Sequence, residues 1–158
     1  MSSCRGFKKS SIWPLVIIFA VLGGVMWYRG RQAPMPALFA QGTTIEAAYE
    51  QSAQTGKPIF VLATADWCPS CQTLKRGALS DEQLVATFSE RAIPVYLDIS
   101  KSTSPGAEFA AQPGVTSIPA MFVIADGQVV ASTVGARSAG YLLDWFDRAQ
   151  SATPSGDW

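Results

Sequence analysis

The sequence contains no histidine. That absence removes the commonest metal ligand and the commonest general base together. It excludes serine and cysteine hydrolases that depend on a histidine base. Cysteine is scarce: Cys4, Cys68 and Cys71 are the only three, too few for a small secreted scaffold held by several disulfides. Charged residues make up 15% of the 158 residues and apolar ones 48%, a low share of charge for a soluble protein. Acid is missing altogether from residues 1–31, which hold Arg5, Lys8, Lys9, Arg29 and Arg31. All 12 aspartates and glutamates lie beyond that point, so a basic leader precedes a mildly acidic remainder. Nothing resembles the basic stripe of a nucleic-acid binder, and nucleic acid is not expected as a partner. The length suits one domain of ordinary size with an appendage.

No charge occurs between Lys9 and Arg29, and the run "IWPLVIIFAVLGGVMWY" is apolar throughout apart from its end aromatics. As a helix it roughly spans a hydrocarbon layer of ~30 Å. Trp13, Trp27 and Tyr28 stand near its two ends, where amphipathic rings favour the interface. Pro14 falls in the first turn, where a missing N–H costs little. A cleaved signal peptide needs a shorter apolar core and a small-x-small site after it; "GRQAPMPALFAQG" offers no clean one, since cleavage after Ala40 puts Leu38 at the third position back. Residues 12–28 are therefore read as an uncleaved transmembrane anchor behind a basic tail, residues 1–11. The excess of positive charge before the span favours the N-terminus inside. The expected location is the inner (cytoplasmic) membrane, crossed once, with the remaining domain facing the periplasm or cell exterior. Cys4 then sits on the reducing side and reads as a spare thiol.

Residues 29–42 are Pro-, Ala- and Gly-rich and read as a tether, and residues 151–158 as a frayed tail. Between them, residues 43–150 alternate helix-like and strand-like patterns. Thr43 with Glu46 has the form of a capping box, followed by an apolar stripe at Ile45, Ala48 and Tyr49. "IFVLA" (59–63) is a continuous apolar run suited to a strand buried on both faces. A helix-like segment follows the two close cysteines and is broken at Gly77. Ser80 opens the next helix, with Asp81 and Glu82 at the favourable end of its dipole. "IPVYLDI" reads as a second strand and "PGAEFAAQPG" as a short helical piece. "AMFVIA" and "QVVASTV" are strands joined by Asp126-Gly127, a strong hairpin signal. Leu142, Trp145, Phe146 and Ala149 recur at helical spacing and close the domain with a one-sided helix. Early strands linked through helices pair in parallel, and the hairpin adds an antiparallel edge. The predicted fold is an α/β sandwich with a mixed central sheet and helices on both faces.

In such a sheet chemistry gathers beyond the carboxyl ends of strands. Cys68 lies at one, between "IFVLATADW" and a helix. A cysteine that opens a helix sees unpaired N–H groups and the positive dipole end, and both favour thiolate over thiol. Thiolate is the attacking species in thiol–disulfide exchange, which makes Cys68 the candidate nucleophile. Cys71, one turn further in, is placed to resolve the mixed disulfide formed at Cys68. Pro69 suits the first helical turn. Structural zinc needs about four ligands, and two cysteines without histidine do not supply them. No metal site and no cofactor beyond the cysteines are expected. Two inert buried cysteines are the remaining alternative.

From about Thr43 to Ala149 the chain resembles the thioredoxin superfamily. "ADWCPSC" is similar to its Trp-Cys-x-x-Cys site, "GVTSIPAMFVIADGQVV" to the segment leading into its hairpin, and "VGARSAGYLLDWF" to its Val-Gly loop and last helix. "KPIFVLATADWCPSCQTLKRGALSDEQL" also resembles the C-terminal domain of DsbD-type membrane electron-transfer reductases. The resemblance implies a thioredoxin-like three-layer sandwich. It implies that Pro119 is a cis-proline beside the disulfide, that the Ile118 backbone pairs with an extended substrate, and that Trp67 and Gly135 line the same docking surface.

Two departures stand out. The buried acid that many members carry six residues before the first cysteine is replaced by Leu62, and the lysine that often pairs with it by Pro94. Asp66 is then the candidate proton relay, a solvated surface carboxylate being the equal alternative. The intervening Pro69-Ser70 also lacks the histidine of strong oxidants of the DsbA kind, whose potential lies near about −120 mV against about −270 mV for thioredoxin. The expected function is a membrane-anchored reductase of protein disulfides, recharged by a membrane dithiol electron donor. The alternatives are a dithiol oxidase working on exported chains and a non-catalytic assembly factor or chaperone on the same fold.

Overall fold

A computed structural model describes residues 13–30, 32–100 and 115–152. Cys4, the basic tail, the piece at 105–114 and the C-terminal residues 153–158 lie outside the described residues. The chain divides into two compact units, Met1–Gln32 and Ala33–Trp158.

The first unit contains helix α1, Trp13–Gly30, of 18 residues. Its aliphatic side chains, Leu15, Val16, Ile17 and Ile18 among them, are exposed. The helix ends on Tyr28, Arg29 and Gly30. Among the described residues no helix is long and apolar enough to cross a membrane.

The second unit is built on a four-stranded sheet. In chain order its elements are α2 (Ile45–Thr55), β1 (Ile59–Thr64), α3 (Pro69–Arg76), α4 (Glu82–Arg91), β2 (Ile93–Asp98), β3 (Ala120–Ala125), β4 (Gln128–Val134) and α5 (Ala139–Ala152). The strand order is β2-β1-β3-β4. β1 pairs with β2 in parallel, Leu62 opposite Tyr96, and with β3 antiparallel, Leu62 opposite Met121. β3 and β4 form the hairpin, in which Asp126 (φ 51°) and Gly127 (φ 73°) both take positive φ. That is the two-residue turn whose twist matches its flanking strands.

Every residue of β1 and of β3 is buried, because both are central strands covered on two faces. Successive side chains alternate between the faces. Phe60 and Leu62 join a cluster with Leu74, Leu84, Phe88, Leu142, Trp145 and Phe146 from α3, α4 and α5. Ile59, Val61 and Ala63 point the other way, with Val95, Phe122 and Ala48 of α2. Helices thus cover both faces of a mixed sheet. The buried residues of α5 include Leu142, Trp145, Phe146 and Ala149, the stripe its periodicity predicts.

Two helix starts differ from the sequence reading by one residue. The cap of α2 is Thr44, whose Oγ1 accepts from Ala47 N–H at 3.3 Å; Thr43 lies outside. The cap of α4 is Asp81, whose Oδ1 accepts from Leu84 N–H at 3.0 Å. Ser80 belongs instead to the 3-10 turn Ala78–Ser80, with its hydroxyl on the Lys75 carbonyl at 2.7 Å. Serine and aspartate both cap well, so adjacent candidates are separated only by where the chain enters the helix.

Candidate active site

β1 ends at Thr64, at the carboxyl end of the central strand, and α3 begins five residues later at Pro69. Cys68 is the cap of α3, in extended conformation (φ −92°, ψ 112°), with Pro69 at the first helical position. Its carbonyl accepts the first helical bond, from Gln72 N–H at 3.1 Å. Its sulfur accepts from Cys71 N–H at 3.2 Å. The cap that a serine or aspartate hydroxyl or carboxylate usually provides is here a sulfur, so the helix N-terminus acts on it directly. Cys68 and Cys71 are joined as a disulfide, their Cα atoms 5.3 Å apart, within the range normal for such a bridge. Cys68 is 4% exposed and Cys71 fully buried. The pair can therefore be reached only at Cys68.

The wall facing the disulfide comes from the segment before β3. The Ile118–Pro119 peptide is cis. The Ile118 carbonyl lies 3.7 Å from Cys68 Sγ and accepts from Ser70 Oγ at 3.4 Å; Ser70 Oγ also lies 3.3 Å from Cys68 Sγ. Ala65, Cys68 and Cys71 form a small buried cluster of their own, flanked by Ile99 and Ile118. Gly135, just past β4, takes φ 90° and donates its N–H to the Pro119 carbonyl at 2.8 Å. A residue with a side chain is strained at that φ, so a glycine lets the β4 end approach Pro119 closely.

Trp67 stands out from this surface, 67% exposed, with its Nε1–H on the Ser100 carbonyl at 3.4 Å. Ser100, two residues past β2, also accepts from Asp66 N–H at 2.9 Å through Oγ, and is itself held by Asp98, whose Oδ1 accepts from Ser100 N–H at 2.8 Å. Gln72 Nε2–H donates to the Asp66 carbonyl at 3.0 Å, and Gln72 Oε1 accepts from the Ala33 N–H. Sequence reasoning named Asp66, Trp67, Cys68, Cys71, Ile118, Pro119 and Gly135, and the fold brings all seven to one end of the sheet. It gave no site role to Ser70, Gln72, Lys75 or Ser100. Ser70 is readable as the only polar side chain between the cysteines. The other three take partners distant in sequence, and no local pattern marks them.

At the two positions where a proton-handling pair was sought, Leu62 is fully buried in the apolar cluster of α3, α4 and α5, and Pro94 sits half-buried on the edge strand β2. An edge is where a missing ladder donor is tolerated. The charges near the disulfide enter from another direction: Lys75 Nζ lies 3.6 Å from Asp66 Oδ1. Among the described residues no group of three or more metal-ligating side chains comes together.

A disulfide across the first turn of a helix, with one sulfur reachable and a cis-proline segment against it, is the centre of a thiol–disulfide oxidoreductase. Comparison with known proteins agrees. A family model described as thioredoxin-like matches residues 40–125, over half of the chain, and the chain belongs to that family. Thioredoxin 1 of Chlorobaculum tepidum is 34% identical over 79 residues, 50% of this chain and 71% of that protein. The thioredoxin of Haemophilus influenzae is 33% identical over 91 residues, 58% of this chain and 78% of that one. Two solved structures share the fold: a DsbH oxidoreductase (TM-score 0.61, 24% identity, 70% of this chain and 83% of that one) and the oxidised C-terminal domain of Neisseria meningitidis DsbD (TM-score 0.57, 21% identity, 66% and 90%).

Proposed function

We propose that the chain is a membrane-anchored reductase of protein disulfides on the exported side of the membrane, with Cys68 as nucleophile and Cys71 as resolving thiol. The observation that carries the catalytic part is the asymmetry of the pair: Cys68 caps α3 and has an open edge, whereas Cys71 has none. Cys68 thiolate attacks one sulfur of a substrate disulfide, whose S–S bond breaks and whose first thiolate leaves and takes a proton. Cys71, deprotonated, then attacks Cys68 Sγ and releases the second substrate thiolate. Two electrons pass to the substrate and the Cys68–Cys71 disulfide remains. A membrane dithiol donor returns the electrons, and no cofactor beyond the cysteines is needed. The Ile118 backbone, beside cis-Pro119, offers an extended substrate a strand to pair with, with Trp67 and Gly135 at its margins and Asp66, two residues before Cys68, as the candidate to move a proton.

The reducing direction is supported by Ser70, a hydroxyl against Cys68 Sγ where an imidazolium would favour the oxidised substrate. Cys71→Ser expressed in cells is expected to accumulate mixed disulfides through Cys68 on non-reducing gels, and acid-trapped wild-type protein to run mainly reduced. No adduct sinks the mechanism, and a mainly oxidised wild type reverses the direction.

The anchor is supported by the uncharged stretch between Lys9 and Arg29 and by the exposed aliphatic surface of α1. The full chain is expected to stay with membranes after alkaline carbonate extraction, and a chain starting at Ala33 to be released. Extraction of the full chain would overturn the anchor and leave the redox chemistry untouched.

A further inference from the structure

One buried charge has no part in the exchange steps above. The Lys75 side chain is 2% exposed. An ammonium without partners in such a place costs several kcal/mol. This one has two: Asp66 Oδ1 at 3.6 Å and the face of Tyr96, 5.2 Å to the ring centroid. Cys71 lies four residues earlier on the same helix, so the two side chains are neighbours on one face, about 5–6 Å apart at Cβ. Helical side chains lean back toward the N-terminus. Lys75 does so, because its ammonium meets Asp66, which precedes α3. The cation thus runs along the flank of α3 past the level of Cys71, toward the turn that presents Cys68. Both cysteines and Lys75 are buried, and charges out of water are screened little.

We propose that Lys75 and Asp66 form a charge couple that sets the acidity of the Cys68/Cys71 dithiol, Lys75 favouring the thiolate and Asp66 opposing it. The proposal rests on the reading that these cysteines are the exchange pair. Among the described residues, the titratable groups facing the couple are few. β2 supplies Tyr96 beneath the ammonium and Asp98, engaged with Ser100. On α3, Arg76 is exposed. Ile118 and Pro119 from the facing segment, and Ala33, bring no charge.

A couple acts with opposite signs at its two ends, whereas a purely structural tie acts with one. Lys75→Met leaves the carboxylate alone, so the pH midpoint for iodoacetamide alkylation of reduced Cys68 moves up, by about one unit for a tenfold loss of thiolate. Asp66→Asn leaves the cation alone, and the midpoint moves down. The double variant falls between the two, and Lys75→Arg, which keeps the charge, restores the wild-type profile. Thiolate stabilisation favours the reduced form, so in equilibrium with glutathione the Lys75→Met pair is more reducing, a tenfold change corresponding to about 30 mV, and the Asp66→Asn pair more oxidising. Midpoints that move the same way, or do not move, overturn the couple. If Lys75→Met does not fold, Asp66→Asn, at a half-exposed residue, decides alone: down supports, unchanged or up refutes. A wild-type protein that neither alkylates at Cys68 nor equilibrates with glutathione would instead refute the exchange pair itself.

Discussion

Cys68→Ser is expected to lose disulfide reduction by at least about a thousandfold, measured as reduction of insulin with dithiothreitol as donor. That is about 4 kcal/mol of barrier, the consequence of removing the covalent route and leaving only the background reaction. The variant is informative because its fold should survive. Serine is among the best helix caps, and its Oγ can accept the same Cys71 N–H that the sulfur accepts at 3.2 Å. The site is 4% exposed, and the replacement is smaller than the thiol. Loss of activity with unchanged far-ultraviolet circular dichroism then isolates the chemistry. Activity above a tenth of wild type would mean that Cys71 reacts directly, which its complete burial argues against.

Phe88→Ala is expected to cost about 3–5 kcal/mol of folding stability, the usual range for a fully buried phenylalanine. Phe88 lies at the meeting of α4, α5 and the sheet. It meets Phe60 edge-on at 4.7 Å between centroids and Phe146 at 4.6 Å, and such aromatic pairs add about 0.5–1.5 kcal/mol each beyond their buried area. Against a typical total of about 5–15 kcal/mol, one truncation removes a large share. Urea denaturation should show a lower midpoint with the slope retained, the sign of lost packing rather than a changed unfolded state. A loss under about 1 kcal/mol would show that the cluster collapses around the cavity and is not the keystone its geometry suggests.

Much of the fold is legible in the sequence because it rests on local signals. The apolar run 59–63 suits a doubly covered strand, Asp126-Gly127 is a strong hairpin signal, and the spacing of Leu142, Trp145, Phe146 and Ala149 has one face. The cysteine spacing carries the exchange site for the same reason. What the sequence conceals is pairing between distant segments. No local pattern marks Lys75 for burial, yet it is buried, with partners Asp66 and Tyr96 that arrive from the turn before α3 and from β2. Nothing in the local sequence marks Ser100, yet it receives the N–H of Asp66 and the indole of Trp67. The helix starts at Thr44 and Asp81 show the finer limit: two good capping residues side by side leave the register to the tertiary frame.

The ties that hold the turn before Cys68 and the proline segment facing it have a consequence for how electrons enter and leave. Ser100 to Asp66, Trp67 to Ser100, Gln72 to Asp66 and Gly135 to Pro119 are all made by amides, carbonyls, hydroxyls or an indole. None involves sulfur. Cleaving the disulfide breaks none of them, so the scaffold stands independently of its oxidation state. The protein then works as a preset socket for an electron pair: these ties need not be remade when the disulfide opens or closes.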